Sequence, residues 1–171
     1  MKTLIKLLII TLISTLPYSC INEEPAVEEV ITVGDTLPDF TITMSDGSSI
    51  TGKTLRSSTS LIMFFHTGCP DCRKVLPHIQ RLYNMYNQQA MTFTLISREE
   101  DEASVSNYWG KQGFSMPYSA QNDRRIYELF AYRRVPRIYI SEHGGIVRHT
   151  FTDNPTPTFE MLNEAMVDVL K

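Results

Sequence analysis

Residues 61–80 read LIMFFHTGCPDCRKVLPHIQ, and the fold turns on how that stretch is parsed. Leu61 to Phe65 are five apolar residues in a row, too few for a helix of their own, with turn-forming residues behind them. Such a run suits a strand buried on both faces. His66, Thr67 and Gly68 end it, and Cys69-Pro70-Asp71-Cys72 follows. From Pro70 onward Val75, Leu76, Ile79, Leu82 and Tyr83 recur at helical spacing, which predicts a helix to about Gln89. Pro70 suits the first helical turn, where its missing N–H costs nothing. Cys69 is then expected at the helix N-terminus, facing unpaired backbone N–H groups and the positive end of the dipole. Those groups favour thiolate over thiol, and the thiolate is the nucleophile. Cys72 falls about one turn further on the same face, within reach of a disulfide with Cys69. Such a dithiol is arranged to cycle.

A C-x-x-C has two blander readings. Half of a zinc site is one, but Cys20 is the only other cysteine, and zinc prefers four ligands. A permanent structural disulfide is the other, although so short a loop constrains the unfolded chain little.

Outward from this stretch, the composition is that of one globular domain: 171 residues, 42% hydrophobic and 20% charged. A net charge of -3 argues against a nucleic-acid partner, which would want a basic face. Residues 1–19 differ from the rest. Lys2 and Lys6 precede a mostly apolar Leu7–Leu16, and Pro17-Tyr18-Ser19-Cys20 closes the stretch. That is the length and order of a secretory signal, too short for a spanning helix. Residues 20–32 are acidic at Glu23, Glu24, Glu28 and Glu29 and read as a flexible tether. The folded domain is expected over 33–171.

Within that domain Phe40, Ile42 and Met44 alternate up to Asp46-Gly47, a hairpin signal. Met91 to Ile96 is a second strand, joined to the first through a helix, so the two are expected to be parallel with a right-handed crossover. Arg98 to Asp101 reads as a charged turn, and a helix follows over about 103–111, held to the sheet by Trp109. Asp123 is placed to cap a short helix ending at Phe130. Arg137 to Ile140 is a strand, Gly144-Gly145 a turn, 146–151 an antiparallel return strand, and 157–170 a final helix.

The segment FFHTGCPDCRKVLPHIQRLY, with VGDTLPDF before it and YELFAYRRVPRIYI after it, resembles the thioredoxin-like proteins. In particular it is similar to the membrane-anchored thiol-disulfide oxidoreductases of the TlpA/ResA type, over about Val33 to Phe151. The resemblance implies an α/β thioredoxin-like fold, a central mixed sheet with flanking helices and an N-terminal β-hairpin extension covering one sheet edge. It also implies a cis proline at Pro136 lying against the C-x-x-C, so that the backbone of Val135 offers a short edge to an extended client. Cys20 resembles the lipidated cysteine of a bacterial lipoprotein. Ser19 suits the cut, but Pro17 stands where a leucine is usual.

The implied activity is thiol-disulfide exchange by Cys69 and Cys72, with Pro70, Asp71, Val135 and Pro136 supporting. Clients would be disulfide-containing proteins, and an envelope thiol-disulfide donor would recharge the pair. The protein would sit outside the cytoplasm, held to a membrane through Cys20. No cofactor, metal or nucleic acid is implied. Asp71 should oppose thiolate formation at Cys69 and so favour a reductant, unless it merely caps the helix and points to water. Two positions depart from the family: Gly68 replaces an aromatic residue, and Val75 replaces an acidic residue that handles protons. Cys72 thus lacks an evident base, which leaves water, a carboxylate from elsewhere or His66. Two other readings stay open. A peroxidase of this fold would want a threonine where His66 stands, and a copper-binding or partner-binding lipoprotein would have to recruit His143 or His149.

Overall fold

The computed structural model describes residues 28–87 and 91–171. The proposed signal segment and Cys20 lie outside the described residues. A five-stranded mixed sheet has the order β5-β4-β3-β6-β7, with β3 (Thr59–Phe65) at its centre and every residue of that strand buried. It runs parallel to β4 (Met91–Ser97), which is parallel to the two-residue β5 (Tyr118–Ser119). On the other side it pairs antiparallel with β6 (Arg137–Ser141), which pairs antiparallel with β7 (Val147–Phe151). The apolar run of β3 follows from this, because a central strand has no face left for water.

Ahead of the sheet, β1 (Thr41–Thr43) and β2 (Ser49–Thr51) form the hairpin. Asp46 shapes its turn by accepting hydrogen bonds from the Ser48 N–H (2.9 Å) and hydroxyl (2.6 Å). Gly47 supplies the left-handed φ of +83° that this turn requires. The hairpin covers the β5 edge: Ser45 N–H donates to the Tyr118 carbonyl (2.6 Å) and the Ser119 hydroxyl to the Thr43 carbonyl (2.7 Å).

A short α1 (Gly52–Arg56) precedes β3, and α2 (Pro70–Tyr86) follows it. Helix α2 buries Val75, Leu76, Ile79 and Leu82 of the stripe read from the spacing, together with Cys72, and leaves Tyr83 half-buried. It ends at Tyr86 with Asn87 as its cap, three residues short of Gln89, which lies outside the described residues. Helix α3 (Glu102–Gln112) is capped by Asp101 and ends on Gly113 at φ +68°. Trp109 on α3 packs on Phe65 at 4.9 Å between ring centroids, and its Nε1–H reaches the Met116 carbonyl at 2.9 Å. Helix α4 (Phe159–Val169) returns beside α2, with the Arg81 guanidinium 3.7 Å above the Phe159 ring.

The other face of β3 is closed without a long helix. Phe64 meets Tyr127, Phe130 and Tyr139 at 5.3, 4.9 and 6.4 Å, and Phe40 covers Phe130. The segment ending at Phe130 is a single 3-10 turn, Tyr127–Leu129, with no side-chain cap. Asp123 instead turns its carboxylate to the Arg125 N–H (3.0 Å) and guanidinium (2.6 Å), a local bond that competes with helix initiation.

The expected boundary between tether and domain also shifts. Glu29 bridges Ala131, the Val30 and Ile31 N–H groups donate to the Phe130 carbonyl, and Ile31 is buried. The packed chain therefore includes Glu28–Thr32. Acidic composition concealed this, because the glutamates have cationic partners that lie far away in sequence.

Candidate active site

The turn from β3 into α2 carries the thiols. Cys69 is the N-cap of α2, with extended backbone (φ -79°, ψ 122°), and Pro70 occupies the first turn. The Cys69 sulfur accepts a hydrogen bond from the Cys72 N–H at 3.4 Å, so an otherwise orphaned helical donor points at it. The Cys69 thiol is partly exposed, the Cys72 thiol is buried, and the two are unbridged here. Burial pushes the Cys72 thiol far above the usual range, and the neighbouring Cys69 sulfur adds to this. The His66 backbone N–H and the Arg98 guanidinium pull the other way. The pair is therefore asymmetric: a partly exposed thiol in front and a desolvated one behind.

Opposite Cys69 lies the segment before β6. The Val135–Pro136 peptide is cis, and the Cys69 thiol donates to the Val135 carbonyl at 3.4 Å. Asp71 neither caps the helix nor points freely to water. It takes Lys74 Nζ at 2.8 Å and the Thr156 hydroxyl at 3.3 Å, and these partners hold its carboxyl below the usual range, with Lys74 the larger influence.

One residue of the site goes unnoticed in the sequence. Glu100, 7% exposed at the end of the β4–α3 turn, accepts hydrogen bonds from both the N–H (2.7 Å) and the hydroxyl of Thr67. It also stands 3.6 Å from His66 Nδ1. Arg73 Nε ties the same residue from the helix side through the Thr67 carbonyl (2.6 Å). His66 folds over Gly68, whose N–H donates to Nδ1 at 2.9 Å. A Cβ at position 68 would come within 3.1–3.2 Å of the imidazole, so here histidine fills the space beside the glycine. Nothing in the run Arg98–Asp101 marks which acid turns inward. The one signal is that a single N-cap needs only Asp101, leaving two glutamates unaccounted for.

Val75 is fully buried in the α2 stripe. His149 is engaged by Asp168 at 3.0 Å, on β7 and α4. Among the described residues no cluster of three or more His, Cys, Asp or Glu side chains would hold a metal ion.

The family described as Redoxin matches residues 32–166. The chain belongs to this family. It is a thioredoxin-like protein of the TlpA/ResA type, and with the C-x-x-C in this position it is a thiol-disulfide oxidoreductase. The thiol-disulfide oxidoreductase ResA of Halalkalibacterium halodurans is 29% identical over 119 residues, 68% of either chain. The ResA of Bacillus subtilis is 23% identical over 159 residues, 93% of this chain and 88% of that one. Among solved structures, a thiol:disulfide interchange protein of the thioredoxin family from Chlorobium tepidum superposes with a TM-score of 0.70 at 19% identity, covering 82% of this chain and 99% of that one. Among the described residues no helix is long and apolar enough to cross a membrane.

Proposed function

We propose that the protein is a lipid-anchored, extracytoplasmic reductant of disulfide-containing clients. The Cys69 thiolate attacks a client disulfide, forming a mixed disulfide and expelling one client thiolate. Cys72, once deprotonated, attacks the Cys69 sulfur and expels the second. The client leaves as a dithiol, having gained two electrons and taken up two protons, and the protein is left with a Cys69–Cys72 disulfide. An envelope dithiol then recharges it. Cys20 would carry the lipid.

The observation that carries this reading is the shared surroundings of the Cys69 sulfur: a helix N-terminus on one side and the Val135 carbonyl on the other. A client strand docked along Val135 would bring its own disulfide to that sulfur. One feature supports the reducing direction: Asp71 adds negative charge two residues from Cys69, though Lys74 offsets part of it. Negative charge there makes the reduced form less stable and the couple more reducing.

Cys69→Ser is expected to abolish turnover with insulin as client. Cys72→Ala should accumulate mixed disulfides on Cys69. Full insulin reduction by Cys69→Ser would overturn the reading.

A further inference from the structure

Arg137 follows Pro136 directly. It faces the Phe64–Tyr139 side of the sheet, where its side chain is only 3% exposed. A guanidinium stays charged in proteins, so a buried one must find partners. Its Nη1 meets Glu29 Oε1 at 2.6 Å, its Nη2 meets Glu28 Oε2 at 3.9 Å, and its Nε donates to the Arg133 carbonyl at 3.0 Å. The Tyr127 hydroxyl is shared between the same Arg133 carbonyl (2.5 Å) and that of Arg134. The two carbonyls ahead of Val135 are thus both held from inside the fold, and the Val135 carbonyl is the one that meets Cys69.

Glu29 is fixed in turn by backbone pairing. It bridges Ala131, while the Tyr132 N–H donates to the Glu28 carbonyl at 2.9 Å. The segment Glu28–Ile31 therefore grips the loop 132–136 at both ends, through the backbone at its entry and an ion pair at its exit. Arg134 adds a third hold, 3.6 Å from both Glu28 and Asp153. Without these carboxylates, Arg134 and Arg137 would stand three residues apart with less to offset their repulsion.

We propose that Glu29, acting through Arg137, is a positioning residue that sets the Val135 backbone against Cys69 for an incoming client strand. This rests on the client-docking reading above. It separates two kinds of substrate: a protein disulfide needs the Val135 edge, whereas a small aromatic disulfide such as DTNB needs only the thiols.

The test compares Glu29→Ala, Glu29→Gln and Arg137→Lys with the parent protein, measuring KM and kcat for insulin, the rate with DTNB and the reduction potential. Misplacing a docking backbone by a fraction of an ångström is expected to raise KM for insulin about tenfold in Glu29→Ala. The DTNB rate should stay within about twofold and the potential should not move. Glu29→Gln, which keeps the shape and loses only the charge, should fall between the two and stands in if the alanine variant does not fold. Arg137→Lys should raise the insulin KM as Glu29→Ala does, because it keeps the charge but loses the fork. Insulin and DTNB rates falling together, or an unchanged insulin KM in a folded variant, would overturn the proposal. Insulin reduction surviving Cys69→Ser would instead sink the reading beneath it.

Discussion

Removing the Glu100 carboxylate should loosen the cysteine turn more than it disturbs the rest of the domain. Glu100 is 7% exposed and accepts two hydrogen bonds from Thr67, one of them at 2.7 Å from the backbone. Bonds to a charged group contribute about 1.5–3 kcal/mol each. Thr67 is only half-buried, so its freed donors regain water and the lower end applies. Relief of the carboxylate's own desolvation works in the same direction. Glu100→Ala is therefore expected to cost about 2–3 kcal/mol, near 4–12 °C in Tm for a domain of this size. Glu100→Gln retains an acceptor and should cost about 1 kcal/mol. Urea unfolding of the reduced and oxidised forms measures the loss, and the alkylation rate of Cys69 reports on the turn itself. A double-mutant cycle with Thr67→Val isolates the hydroxyl's share and leaves the backbone bond in place, because residues sharing hydrogen bonds are not additive. A Glu100→Ala cost below about 0.5 kcal/mol, or coupling to Thr67 below that size, would refute the reasoning.

Two further outcomes are open to measurement. Burial raises the Cys72 thiol in the folded protein, so the unfolded chain ionises first. The stabilisation is complete below about pH 8.5, where the unfolded thiol keeps its proton, and is lost as pH climbs from there towards the folded thiol's own ionisation. Reduced protein should lose stability across that alkaline range in urea titrations, and Cys72→Ala should lose less. Equal slopes would remove the desolvation argument. If Cys20 carries the lipid, Cys20→Ser should move the protein from the membrane to the soluble fraction of cells, and continued membrane retention would exclude that anchor.

By itself the sequence determined the elements whose periodicity is local. The apolar run before His66 can be buried on two faces only as a central strand. The stripe from Val75 to Leu82 has the period of a helix, and a cysteine ahead of Pro70 falls at that helix's start. The hairpin at Asp46-Gly47 and the paired glycines at 144–145 are equally legible, because left-handed backbone selects its residues. Tertiary structure decided the rest. Two residues of β5 carry no period, and they become a strand only because β4 and the hairpin offer their edges. Asp123 looked like a cap until Arg125 took its carboxylate. Glu28, Glu29 and Glu100 resemble solvated acids in a row of letters. Each finds its partner only when the fold brings Arg137, Arg134 or Thr67 to meet it. A charge reads as exposed unless its partner is seen, and these partners lie at least 33 residues away. Burial of an ion is a pairwise property that no local pattern records.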